Sequence, residues 1–387
     1  MDKNQRYQLR VSGSPRICVF SQRNLHRLVS RCGDYEIEDI ICDLDSVDLL
    51  APKPYRSFGI GQKLVNRLSR HLPNTGFNPG VERIRLDRDY DLFMMKCLFP
   101  SDLHSLHAVD GWTDCCRTSM CWLSEIWAGE LHKWKGHLKI LSQFDYVALS
   151  FHGSVQPVQD AIKKPCHYME LGVDALRFCP YPNPPVRCVD VCNLGRRSQI
   201  MHEALLKLAE QNRVFYLYDT IRTMNTCCPE EHRKLIANLA KRSRYFMANA
   251  AKIDREFETH GQSEIGNRFF EGAAAGTVMI GVPPTNEMFR KHFDWPDAVI
   301  EVPFDCSNIA EILADLDSQS ERLDEIRRNN IVQSLLRHDW VYRWKEILDI
   351  VGLEPTPAVY AREQSLKKLA QDVAKARNSI SSIRSTK

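Results

Sequence analysis

The 387-residue chain has no run of about 18 uninterrupted apolar residues, so no segment reads as a transmembrane helix. The opening residues, Met1-Asp-Lys-Asn-Gln-Arg-Tyr-Gln8, lack the apolar stretch of a signal peptide. Among 14 cysteines there is no Cys-x-x-Cys pair. His104, His107, Cys115, Cys116 and Cys121 group in one segment, and Cys227, Cys228 and His232 in another. Neither has zinc-ligand spacing, because adjacent cysteines cannot easily share one ion. Excess charge is also missing: 52 Lys+Arg against 49 Asp+Glu gives a net +3. That argues against a protein that works by neutralising nucleic-acid phosphates. Gly59-Ile-Gly61 lacks the third glycine of a dinucleotide fingerprint, and no strand directly precedes it.

What is present is ordinary for a globular protein: 43% hydrophobic and 26% charged residues. The length predicts two domains. Cys18, Cys42, Cys97, Cys166 and Cys188 sit in apolar runs, as reduced, buried cysteines do. Together with the polar N-terminus, this predicts a cytoplasmic protein.

The apolar pattern alternates between strand and helix spacing. Strands are predicted at 16–20, 37–41, 91–99, 121–127, 145–151 and 166–169, and helices at 24–29, 59–72, 131–141 and 155–162. Pro180-Tyr-Pro-Asn-Pro-Pro185 then interrupts the pattern with stiff, extended backbone that suits a linker. Alternation resumes with strands at 186–192, 213–218, 244–249, 277–280 and 298–303. Helices are predicted at 198–211 (Ser198 as N-cap), 230–241, 265–275, 307–317, 319–335 and 338–351. Most strands are apolar on both faces, which means parallel sheets. Residues 362–387 are basic, with a weak helical stripe as far as Ala376 and a frayed end beyond it. The tail reads as a solvated helix end, with weak attachment to a membrane surface or polyanion as the alternative.

The chemically richest stretch is Ser263-Glu-Ile-Gly-Asn-Arg-Phe-Phe-Glu-Gly-Ala-Ala-Ala-Gly-Thr-Val-Met-Ile-Gly281. A loop at Gly266 leads into a helix starting near Asn267. Unpaired amides and the helix dipole at such a start attract phosphate. Arg268 can add a charge-assisted pair, and Glu271 can accept from vicinal ribose hydroxyls. Read on its own, the segment is equally a tightly packed strand–helix unit with an exposed Arg–Glu pair. In the first half, His152 and Glu125 stand at strand ends, where each could orient an acceptor, act as a base, or simply satisfy a strand end.

Glu264 and Glu271, with Gly-Ala-Ala-Ala-Gly-Thr-Val-Met-Ile-Gly after them, resemble the donor-site signature of GT-B glycosyltransferases of the group-1, retaining type. Two further pieces fit the resemblance: Gly172-Val-Asp-Ala-Leu-Arg-Phe-Cys-Pro180 at the exit to the linker, and Val191-Cys-Asn-Leu-Gly-Arg-Arg-Ser198 at the first turn of the second domain. The branch is divergent. Six residues rather than seven separate the glutamates, and Phe20-Ser-Gln-Arg-Asn24 replaces the Gly-rich loop after the first strand.

The resemblance implies an α/β protein of GT-B fold, with two Rossmann-like domains facing across a cleft and a C-terminal crossing helix. Its domains would be an acceptor-side domain at 1–180, a linker at 181–187, a nucleotide-sugar domain at 188–355, and a crossing helix with basic tail at 356–387. It implies transfer of a sugar from a nucleotide-sugar donor to a glycan, lipid-linked or small-molecule acceptor, with retention. Neither metal nor cofactor is implied beyond the donor as co-substrate, and Asp87-Arg-Asp89 reads as solvated. The implied donor-binding set is Arg196, Arg197, Asn249, Ser263, Gly266, Asn267, Arg268, Phe269 and Glu271. Glu264 would lie near the sugar and joins His152 and Glu125 as catalytic candidates. No nucleic-acid partner is expected. Trp340 and Trp344 are read as core. The alternatives are a non-catalytic binding protein of this fold and a sugar-nucleotide epimerase.

Overall fold

The computed structural model describes residues 14–71, 76–220 and 224–376. The frayed end expected after Ala376 lies outside them. Eleven strands form two wholly parallel sheets. The first contains β1 (Ile17–Phe20), β2 (Val47–Leu50), β3 (Tyr90–Cys97), β4 (Cys116–Leu123), β5 (Tyr146–Leu149) and β6 (Cys166–Tyr168), in the order β2-β1-β3-β4-β5-β6. The second contains β7 (Val189–Asn193), β8 (Tyr216–Tyr218), β9 (Ser243–Met247), β10 (Val278–Gly281) and β11 (Ile300–Glu301), in the order β8-β7-β9-β10-β11. Ile84–Arg85 and Val109–Asp110 add a separate two-stranded pair. Each sheet reverses direction beside its first strand, the switch point where such sheets leave a crevice for ligands. The expected fold class, two Rossmann-like α/β domains, is therefore what the chain adopts.

Among the described residues, the α-helices of seven residues or more are α1 (Cys32–Leu44), α2 (Phe58–His71), α3 (Lys135–Leu141), α4 (Val155–Ile162), α5 (Gln199–Glu210), α6 (Pro229–Lys241), α7 (Asn267–Ala274), α8 (Ile309–Asp317), α9 (Ser320–Arg337), α10 (Trp340–Val351) and α11 (Pro357–Lys375). Ser198 caps α5 by accepting from the Met201 amide. No helix among the described residues is long and apolar enough to cross a membrane.

Three expectations need correction. The strand predicted at 37–41 lies inside α1: Ile37, Ile40, Ile41 and Leu44 are all buried, and their spacing is that of one helix face. The helix predicted at 24–29 is a single turn at Val29–Arg31, because residues 27 and 29 instead pair with the second domain (Thr226 N to Arg27 O, Val29 N to Met224 O). The strand predicted at 121–127 is Cys116–Leu123, so Glu125 sits in the following loop. None of the 14 cysteines is in a disulfide; of the five expected to be buried, Cys18 and Cys97 are, Cys42 and Cys166 are half-buried, and Cys188 is exposed.

The chain returns to the first domain upstream of residue 356. Val173 N donates to His338 O and Trp340 N to Val173 O. The Trp340 ring meets Trp122 edge to face at 6.1 Å, and its Nε1 donates to Glu36 Oε2 at 2.9 Å. Trp340 and Trp344 are fully buried core residues. Helix α11 is then anchored by Arg362, which bridges Asp174 and Asp339 at 2.8 Å each.

Candidate donor site at the domain interface

Loops at the carboxyl ends of both sheets meet. A Cβ placed on Gly33, in the first turn of α1, would lie 3.8 Å from Asn267 Nδ2 in the first turn of α7. A Cβ on Gly266 would lie 3.7 Å from Asn249 O, just past β9. Two helix N-termini, one from each domain, therefore converge beside the switch point of the second sheet. Gly266 is the N-cap of α7 in extended conformation, with no side chain capping that end. Orphan amides and dipole ends of this kind make a positive focus. At Gly281 (φ +146°) the backbone passes so close to Ala248 O that a Cβ would sit 2.2 Å away, so only glycine fits there. The Asn249 side chain pins the same corner by accepting from Val282 N at 2.9 Å.

Glu271 is buried at this junction. One carboxylate oxygen accepts from Arg268 and the other from Arg233 on α6. Arg233 is itself buried, and its other face makes a bidentate pair with Glu36 of α1, at 3.0 Å for each nitrogen. Burial pushes the Glu271 carboxyl up, but Arg268 and Arg233 outweigh it and hold it below the ordinary carboxylate range. Burial likewise opposes the Arg233 charge, but Glu36 and Glu271 raise its pKa overall. Glu36 also accepts from the Asp174 amide at 3.1 Å and from Trp340, which makes it a hub where α1, the linker approach, α6 and α10 meet. Nothing in the sequence singles out Glu36 or Arg233: Glu36 borders the run read as a strand at 37–41, and Arg233 reads as one charge in an amphipathic helix.

Glu264 is buried between the domains. It accepts from Gly153 N at 2.8 Å, His152 N at 3.0 Å and Gln262 Nε2 at 2.7 Å. Burial raises its pKa above the usual carboxylate value despite these donors. Both oxygens are thus engaged in joining the turn at 152–154 to the second domain. The His152 ring points elsewhere, with Nε2 3.5 Å from Glu287 and a T-shaped contact to Tyr168. Glu125 pairs with Lys252 and accepts from Trp127 Nε1 at 3.3 Å, a third bridge between the domains.

The remaining expected residues divide into two groups. Arg196 is exposed and pairs with Asp254 at 2.9 Å, while Arg197 pairs with Asp219 at 2.8 Å and lies over the Tyr218 ring. Asn267 and Arg268 are half-buried at the rim. Ser263 holds the segment at 285–286: its carbonyl accepts from Asn286 at 2.6 Å and its hydroxyl from the Thr285 amide at 3.3 Å. Phe269 requires a correction: its side chain is fully buried against Phe289 and Phe293 and belongs to the core, so it has no face for a ligand. A surface depression of about 510 Å³ lined by Arg16, Asp91 and Cys116 lies at the amino ends of the first sheet, away from this junction.

Residues 219–349 match the family model described as glycosyl transferase-like. A search by sequence among curated proteins finds no match. Among solved structures, Anabaena HepE in complex with UDP-glucose is similar at 13% identity, covering 87% of this chain and 99% of that one, with a TM-score of 0.48. An alpha-glucosyltransferase in complex with UDP and a 13-mer DNA is similar at 11% identity, covering 88% and 100%, with a TM-score of 0.48. The N-terminal domain of Candida albicans trehalose-6-phosphate phosphatase is similar at 6% identity, covering 89% and 98%, with a TM-score of 0.49.

Proposed function

We propose that this chain, whose residues 219–349 match the glycosyl transferase-like family model, transfers a sugar from a nucleotide-sugar donor held at the domain junction. The observation that carries the reading is the convergence of two helix N-termini, at Gly33 and Asn267, beside the carboxylate Glu271 and its two arginines, Arg268 and Arg233. Breaking the anomeric C–O bond leaves a nucleoside diphosphate. Preorganised amides and guanidiniums stabilise that leaving charge without reorganising at the moment of reaction. Arg268, with its side chain 32% exposed, is free to turn from Glu271 to the diphosphate. That exchange frees one Glu271 oxygen for a ribose hydroxyl, while Arg233 keeps the other neutralised. Arg196 and Arg197 exchange their aspartates for phosphate oxygens in the same way. Glu264 acts as a positioning residue that sets the turn carrying His152, and His152 and Glu125, held in the resting chain by Glu287 and Lys252, are the acceptor-side groups of this reading. The bond broken is made anew to an acceptor hydroxyl, whose proton leaves to a base on that side. We read the outcome as retention and the acceptor as a glycan, a lipid-linked sugar or a small molecule.

A second reading is a non-catalytic binder of nucleotide sugars. It is favoured by one observation: Glu264 and Glu271 are both fully engaged with protein donors. Calorimetric titration with UDP, GDP and ADP tests the site common to both readings. One nucleotide should bind the wild type and bind R268A at least roughly tenfold more weakly, the loss of about one charge-assisted pair. Equal affinity in the two proteins, or no binding by the wild type, sinks the site.

A further inference from the structure

We infer that the outer face of α2, with Tyr55 and Phe77 beside it, forms a surface that docks on an anionic lipid bilayer. From Ala51 to Gly80 the chain carries Lys53, Arg56, Lys63, Arg67 and Arg70 and not one Asp or Glu, although the whole chain is only +3. The same stretch exposes large apolar side chains: Tyr55 is 55% exposed, Ile60 77%, Leu64 55% and Phe77 56%. Single exposed apolar residues are normal, but four of them in one cation-rich segment are not.

The helix explains how they come together. Phe58, Val65 and Ser69 face inward and are buried. Ile60, Lys63, Leu64 and Arg67 fall on the opposite face at helical spacing, and all four are exposed. The loop carrying Phe77 runs against this helix: a Cβ on Gly61 would lie 2.2 Å from Pro79 O, so only glycine permits the approach. Tyr55 is tied to the same loop by its amide, which donates to Gly80 O at 2.8 Å. Ile60, Lys63, Leu64 and Arg67 therefore share one face, with Tyr55 and Phe77 on the segments beside it and Glu82 at its edge.

The mixture decides the occupant. Aromatic and aliphatic side chains enter the headgroup boundary, and adjacent cations meet lipid phosphates. A second copy seated on this face by two-fold symmetry would set one cation-rich segment without carboxylates against another, and the two repel. The docking does not depend on what the junction between the domains catalyses.

The test is co-sedimentation of the full chain with vesicles. One set is phosphatidylcholine with about a third phosphatidylglycerol, the other phosphatidylcholine alone. Wild type should sediment with the anionic vesicles only, and less at about 0.5 M salt. Each cation at such a surface is worth a factor of roughly five, so K63E/R67E should lower partitioning by tenfold or more. I60S/L64S should lower it as well, with no change in melting temperature because both side chains are exposed. R377Q/R384Q/K387Q should still bind. Absence of binding to anionic vesicles overturns the inference, as does binding that ignores both α2 variants or is lost only in the tail variant.

Discussion

Arg233 is the residue whose removal should say most about how the two domains are held. It is buried, and it lies between Glu36 of the first domain and Glu271 of the second. Arg233→Met keeps much of the side-chain volume and removes the charge. Glu271 then retains Arg268, and Glu36 retains a distant contact to Arg177 at 3.4 Å. Breaking a buried pair from one side costs about 3–5 kcal/mol, because the remaining charge stays uncompensated. For domains of this size that is a fall in melting temperature on the order of 10 °C.

The pH dependence carries the sharper signature. In the wild type, Glu271 is held below the ordinary carboxylate range, so its contribution is present at neutral pH and is lost only on strong acidification. In the variant Glu271 keeps Arg268 but loses Arg233, so burial counts for more and its carboxyl moves up from its wild-type position. The variant's Glu271 then gives up its contribution at a higher pH than the wild type's does. The deficit against wild type should therefore shrink on acidification, between about pH 7.5 and about pH 4.5. Adding Glu36→Gln to Arg233→Met should recover part of the loss at neutral pH. Differential scanning fluorimetry on the wild type and the two variants reads all of this. A deficit below about 1 kcal/mol, or one equal at both pH values, would refute the reasoning.

Three further outcomes follow from the same geometry. Glu264→Gln must turn an amide NH₂ toward a backbone donor, either Gly153 or His152, and should cost about 1–3 kcal/mol by thermal unfolding. Asp102→Asn should cost at least as much. Burial alone would raise the Asp102 carboxyl, but a bidentate Arg31 overrides it and holds it low, so the wild type's share of stability from this pair should fade only as pH drops through the acid range. Glu271→Gln should keep Arg233 paired to Glu36, remain folded by circular dichroism, and weaken nucleotide binding by tenfold or more, about 1.4 kcal/mol.

Much of the fold was legible because buried parallel strands are continuous apolar runs and amphipathic helices repeat every 3.6 residues. Val155–Ile162 and the cap at Ser198 came out as read. The isoleucine-rich Ile37–Ile41 did not, because a short β-branched run looks the same in a strand and in a fully buried helix. β2 went unread for the opposite reason: Val47–Leu50 is only four residues long and half-buried. At the site, the local signature located the loop and helix around Gly266 and Glu271. It misread Phe269, whose partners Phe289 and Phe293 are remote in sequence. It missed Glu36, Arg233 and Lys252, because a buried ion pair between domains leaves no mark at either residue alone.

The central claim is donor turnover at this junction. Purified protein incubated with UDP-, GDP-, ADP- and dTDP-sugars, followed by mass spectrometry for free nucleoside diphosphate, tests it most directly, with Glu271→Gln as control. The account predicts slow release from one donor by the wild type and none by the variant. Equal release by both proteins would contradict it, and so would failure of the wild type to bind or cleave any of the four donors.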